Sequence, residues 1–507
     1  MDMSGHAFPM LTLLCATVVA LCDACSTAAD CSQNGACVSG ACVCTAGWTG
    51  TACSVLDVAP VDKEKWGYMP IEDGFTSWGG AVLKEGGKYH MWVSENAKKC
   101  GMDTWGTNSR CIHTEAASPE GPYTKTGVVF GPMCHEPKVI KAPTGETVMY
   151  FTGIYDGVTD VGSEGTGGFS SDHAYTTETE HLCDCSTGAE EVDGNVAPLF
   201  GACVHTASSD PTWMSWTTTP GDDASWSKPV MIIDPRDETS ATGFQDATFA
   251  GDTVDTNFAP VEIQANGSLL AMWRSWQDCP TGAVGTSCSV IHTASATHWK
   301  CSSARDCKSK YTFQTRNIFA DEGTGPTEWG ANELYVSEGI GDPFGWKDSQ
   351  GVFHALFHYV VSEKDLTSHA WSTDFFGKWT HTGDANDQNV SFTDGTFAKF
   401  ESCNRPNLVV DDAGKPVALA TGCNAGTSSP EGFMIEEFPI LESEFSSEYA
   451  VDYAAFTLVQ PLLDGTKTDT PAPVDNSTTT GQSELMSCAC RSAQTVVLLL
   501  SAWLLHL

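Results

Sequence analysis

The sequence predicts an all-β chain: a five-bladed β-propeller preceded by a small disulfide-rich module. Three observations predict it. A hairpin pattern recurs five times between Trp66 and Leu463, a His-Thr motif trails most of the hairpins, and six closely spaced cysteines, Cys25 to Cys53, stand ahead of them. The 507 residues include 48 Gly, 24 Pro, 22 Cys and 16 Trp, types that favour strands and turns. An apolar fraction of 41% is enough for a core and excludes wholesale disorder. With 26 basic against 64 acidic side chains the net charge is −38, which excludes a nucleic-acid partner because phosphates would be repelled.

The five hairpins begin at Gly79, Glu136, Ala259, Asp342 and Arg405. Each runs through mostly apolar residues and turns at a glycine, Gly87, Gly145, Gly267, Gly351 or Gly414. Apolar and polar residues then alternate. Behind the hairpins, Ile112-His113-Thr114, Val204-His205-Thr206 and Ile291-His292-Thr293 repeat, with Ser368-His369-Ala370 a looser copy. They read as third strands whose histidines bond a neighbouring strand, with a fourth strand as a variable outer edge. Small antiparallel sheets that cannot bury their own faces close radially into a propeller. The long gap between Glu136 and Ala259 implies an insertion, roughly Asp156 to Leu199.

The segment Cys25–Cys53 is too short to fold on a hydrophobic core and calls for disulfides. Cys42-x-Cys44, then Gly47-Trp48-Thr49-Gly50 and a last cysteine at Cys53, resemble an EGF-like domain of the compact tenascin kind. The resemblance implies pairs Cys25–Cys37, Cys31–Cys42 and Cys44–Cys53, a spacing or partner-presenting role, and no calcium, since only Asp23-Ala24 precedes the first cysteine. In the larger body, neighbouring strands suggest Cys100–Cys111, Cys279–Cys288, Cys301–Cys307 and Cys403–Cys423, with Cys134, Cys183, Cys185 and Cys203 pairing among themselves. This cysteine usage points to an oxidising, extracellular compartment.

Both ends read as addresses. Residues 1–24 carry an apolar stretch, Phe8 to Leu21, that suits a secretory signal. A polar Pro/Thr/Ser-rich linker, 464–487, precedes a hydrophobic tail at 488–507. That is the pattern of a GPI-attachment signal or a short anchor. Asn266, Asn389 and Asn476 are N-glycosylation acceptors on the secretory route.

Chemistry belongs at the mouth of the propeller channel, where the inner strands begin. The residues there are Trp78, Glu136, Asn257, Asp342 and Arg405: an indole, a carboxylate, an amide, a carboxylate and a guanidinium. His135 and Arg274 join them as further polar partners. Such a ring suits a polyhydroxylated ligand, with Trp78 stacking on sugar C–H groups. Ser118-Pro119-Glu120-Gly121-Pro122-Tyr123, His135-Glu136-Pro137, Asp342-Pro343-Phe344 and Asn404-Arg405-Pro406 resemble glycoside hydrolase family 43 and its fructosidase relatives.

That resemblance implies cleavage of a glycosidic bond by a carboxyl pair, one protonated and one ionised. The candidates are Glu136 and Asp342, with Asp73 third, and their acid and base roles stay open. The sequence departs from the family where a first-blade Asp is expected. Ser77-Trp78-Gly79-Gly80 stands there, Asn257 occupies the third-blade rim, and Glu262 lies farther along that strand. Two readings follow: a secreted or surface-tethered glycosidase acting on extracellular carbohydrate, or an inactive carbohydrate- or protein-binding module on the same scaffold. No motif requires a cofactor. A calcium ion is conceivable in the channel, or among Asp234, Asp237, Glu238, Asp246, Asp252 and Asp255, although a solvated loop explains those acids better.

Overall fold

The structure is a computed structural model that describes residues 25–97, 101–102, 105–131, 134–153, 190–192, 195–197, 211–233, 257–278, 287–317, 340–361, 364–424 and 455–464. Five four-stranded antiparallel sheets form the blades of a propeller. Their inner strands are Ser77–Glu85, Cys134–Lys141, Ala259–Ile263, Ile340–Lys347 and Ser402–Val410. The predicted turn glycines Gly87, Gly145, Gly267, Gly351 and Gly414 all have positive φ, between 77° and 103°, which a tight hairpin demands and glycine supplies without strain.

Most hydrophobic clusters are seams between two blades; a further one packs Cys403, Cys423, Phe456 and Leu458 of blade five against Trp66, Val390, Phe392 and Phe400 outside the blades. Trp92 and Phe130 of blade one pack with Met149, Phe151 and Trp213 of blade two. Tyr150 and Met214 of blade two pack with Leu269 and Trp273 of blade three. Met272 and Ile291 of blade three meet Phe353 and Phe357 of blade four. Val409 and Ala420 of blade five meet Val82 and Met91 of blade one. The ring closes on a strand the repeats do not reveal. Gly67–Tyr68, ahead of blade one, pairs with Ala455–Pro461 as the outer strand of blade five.

Two of the third-strand histidines bond across to the second strand. His113 Nε2 lies 2.9 Å from His90 Nδ1, and His369 Nε2 lies 3.0 Å from His354 Nδ1. Blade two departs from expectation. Its third strand is Thr212–Thr217, whose Trp213 and Met214 are buried, whereas Val204-His205-Thr206 lies outside the described residues.

The cysteine module forms the three expected bridges, Cys25–Cys37, Cys31–Cys42 and Cys44–Cys53. Cys301–Cys307 and Cys403–Cys423 are bonded as well. Cys111 is a correction: it bonds Cys134 rather than Cys100. Cys111 begins on the third strand of blade one and Cys134 opens the inner strand of blade two, so the bridge spans a blade seam that sequence proximity does not show. Cys100, Cys183, Cys185, Cys203, Cys279, the side chain of Cys288, the six acids between Asp234 and Asp255, Asn476, and both chain ends lie outside the described residues. Among the described residues no helix is long and apolar enough to cross a membrane. Asn266 and Asn389 are exposed.

The small module does not stand off as a spacer. Trp48 and Leu56 join Leu356 and Ala385 of blade four and Leu408 and Leu419 of blade five in one cluster, so the module completes the seam between those blades. The Trp48 ring lies 4.8 Å from that of His369. Main-chain bonds fasten the joint: Gly47 N–H donates to Leu463 O and Leu463 N–H to Asp57 O. Truncating a buried Trp typically costs about 3–5 kcal/mol. Trp48→Ala is therefore expected to lower the unfolding free energy of the whole chain by that order, while exposed Val43→Ala leaves it within about 0.5 kcal/mol. Denaturant unfolding reads both.

Candidate functional site

Five equivalent positions, one at each inner-strand start, share an unusual backbone. Gly79, Glu136, Asn257, Asp342 and Arg405 have φ of 64°, 54°, 24°, 50° and 57°. Pairing with the second strand slips at this point in blades one, two, four and five, which marks a β-bulge. A left-handed residue with a side chain costs about 1–2 kcal/mol, so four of them at equivalent positions mark a site worth that strain. The bulge turns these side chains toward one another at the channel.

They meet there. Asn257 Nδ2 donates to Glu136 Oε2 and, at 2.9 Å, to Asp342 Oδ1. Arg405 pairs through Nη2 with Glu136 and through Nε, at 3.6 Å, with Asp342. His358 Nδ1 lies 3.7 Å from Asp342 Oδ2. Arg274 passes so close to Gly341 that a Cβ there would lie 2.8 Å from its Nη1. Lys138, two residues past Glu136 on the same strand, is buried beside these charges. Exposure is 6% for Glu136, 5% for Asp342, 4% for Lys138 and 1% for Asn257.

The environment splits the two carboxyls. Burial raises Glu136, helped by the charge of Asp342 and only partly opposed by Arg405, Arg274 and the Asn257 amide. Asp342 is held below the usual carboxylate range: burial pushes it up, but Arg405, His358, Arg274 and Lys138 together outweigh that. Burial pushes the Lys138 ammonium down to about 8, against the pull of Asp342 and Glu136.

Of the residues picked from sequence, Glu136, Asn257, Asp342 and Arg405 gather at the channel, and the charge of Arg274 reaches both carboxyls. Trp78 is a correction. The first-blade ring position is Gly79, because the bulge falls one residue later. Trp78 packs instead against Gly422, where a Cβ would lie 2.8 Å from its Cδ2. The space beside Gly79 holds the stem of Arg405, whose Cβ would lie 3.0 Å from a Cβ built there. His135 is buried and stacks on Trp105 at 4.6 Å. Asp73 is exposed in the short turn Ile71–Asp73. Glu262 pairs with Lys347 of blade four at 3.2 Å, so it faces a neighbouring blade.

Sequence reasoning missed Lys138 and His358. The signal for Lys138 lay in Glu136-Pro137-Lys138, a cation on an inner strand; His358 shows only through pairing with Gly341 on the next strand. It also missed a buried carboxylate of blade one, Glu95, which accepts from Tyr68 Oη at 2.6 Å and pairs with Arg110 and Lys125.

The depressed Lys138 value gives a signed prediction. The unfolded chain binds more protons than the folded one between about 8 and the free-lysine 10.5, so stability rises with pH across that window. Thermal unfolding from pH 8 to 10 is expected to show wild type gaining stability relative to Lys138→Met; parallel profiles would refute the downward shift of Lys138.

A teneurin-like EGF domain model matches residues 27–56. No curated protein matches the chain. Among solved structures the chain is similar to the Podospora anserina α-L-arabinofuranosidase PaAbf62A, solved with cellotriose: 9% identity, 83% of this chain and 98% of that one, TM-score 0.41. The catalytic domain of the Coprinopsis cinerea GH62 α-L-arabinofuranosidase aligns at 9% identity over 82% and 97%, TM-score 0.41. Zg3597 of Zobellia galactanivorans, a family 117 glycoside hydrolase, aligns at 9% over 81% and 91%, TM-score 0.41. At these values the likeness is one of outline, and the five-bladed architecture rests on the strand pairing of this chain itself.

Proposed function

We propose that this chain is an extracellular, surface-tethered propeller that binds carbohydrate at its channel mouth without hydrolysing it there. The observation that carries the second half is the state of the two carboxyls. Glu136 and Asp342 are buried, share the Asn257 amide and pair with Arg405, while the first-blade position that would complete a family 43-like acid pair is Gly79 under the Arg405 stem. Glycoside hydrolysis needs two carboxyl groups flanking the scissile bond. Here an amide and a guanidinium lie between them. What supports carbohydrate as the ligand is the ring chemistry, carboxylate, amide and guanidinium around one axis, and the family 43-like motifs at the blade starts. The tether is residues 488–507, and a protein partner on the EGF-like module belongs to the same reading.

One observation favours the second reading, hydrolysis. Burial holds Glu136 up while Arg405 and His358 hold Asp342 low, and opposite directions are what an acid and a base require.

A single experiment separates the two. The secreted chain is incubated with arabinans, xylans, galactans and fructans, and both pull-down on the insoluble polysaccharide and reducing-sugar release are measured. Retention without release, weakened at least about tenfold by Arg405→Met, is the expected result. Release abolished in both Glu136→Gln and Asp342→Asn would establish the hydrolase instead.

A further inference from the structure

The channel carries more positive than negative charge, which is unexpected in a chain of net charge −38. Two carboxylates, Glu136 and Asp342, face three cations, Arg405, Arg274 and Lys138, with His358 beside Asp342. The carboxylates are spoken for: Glu136 by Arg405 and Asn257, Asp342 by Asn257, Arg405 and His358. Two cationic donors are not. Lys138 Nζ and Arg405 Nη1 are buried and have no hydrogen-bond partner. A buried ammonium with no hydrogen-bond acceptor is among the costlier features a fold can hold, and Asp342 and Glu136 act on it only through space, so its retention points to a further anion. The same three cations repel a calcium ion, so the channel does not suit the cation contemplated from the sequence.

We propose that the channel takes an anionic group between Lys138 and Arg405, either the carboxylate of a uronic acid residue or a free inorganic anion. This deepens the carbohydrate reading by naming acidic saccharides as its ligands, and the uronate arm rests on that reading. Lys138 supplies a point charge and Arg405 Nη1 a second donor. At the first-blade ring position itself Gly79 carries no side chain to oppose an incoming anion, and the nearby Glu95 is already paired with Arg110 and Lys125.

The test titrates the full chain at constant ionic strength with sodium galacturonate, with uncharged galactose and with sodium chloride, following thermal unfolding and binding heat. Lys138→Met and Lys138→Arg are run in parallel, the second retaining a cation if the first fails to fold. Galacturonate is expected to stabilise wild type, galactose not to, and Lys138→Met to weaken the effect at least about tenfold while Lys138→Arg retains part of it. A chloride effect equal to that of galacturonate, with the same dependence on Lys138, would assign the site to a free anion. Equal anion responses in wild type and Lys138→Met would overturn the proposal. Since retention on neutral polysaccharide is measured separately, that failure leaves the carbohydrate reading standing, and loss of retention with an intact anion response would do the reverse.

Discussion

Two carboxylates buried at the centre of a protein destabilise it by several kcal/mol each unless cations meet them, and in this chain Arg405 pairs with both. Its stem lies over Gly79 of blade one, its guanidinium pairs with Glu136 of blade two, and it reaches Asp342 of blade four. Asn257 of blade three spans the same two acids. The fifth blade is thereby tied to all the others through one polar knot. A side chain at the Gly79 position would crowd that arginine at 3.0 Å and sit at a φ of 64°, so the glycine of blade one and the arginine of blade five suit each other.

The knot explains a backbone that would otherwise be costly. Residues with side chains adopt left-handed φ at four of the five inner-strand starts, three of them directly before proline. Strand geometry alone would send such side chains alternately into the blade seams. The bulge re-aims them, and the ion pairs and hydrogen bonds they gain offset the strain. The closing strand Gly67–Tyr68 is anchored by related chemistry, since Tyr68 donates to the buried Glu95 of blade one.

The EGF-like module belongs to the same economy of seams. Four blade interfaces are filled from the blades, and the one between blades four and five is completed by Trp48 and Leu56. A module that reads as a presenter of some neighbour is here a structural wedge. It also leaves one side of its hairpin, with Val38 and Val43, in solvent.

Much of this was legible in the residues themselves. Glycine at each hairpin turn, alternation after it and the six-cysteine spacing are local properties, and local sterics and loop closure decide them without knowledge of the whole fold. Hence the five hairpins and four of the ring positions follow from the residues alone, while the pairing of the three module disulfides comes from the EGF-like resemblance. What only the tertiary structure decided are matters of contact between distant segments. Cys111 finds Cys134 across a seam, Trp78 yields its ring position to Gly79 through a one-residue bulge, and Gly67–Tyr68 closes the last blade. The same holds for Lys138 and His358, whose charges matter only because other blades bring Asp342 and Glu136 beside them. Sequence names the groups that could carry charge, but burial and separation set what each charge does, and both are properties of the closed ring.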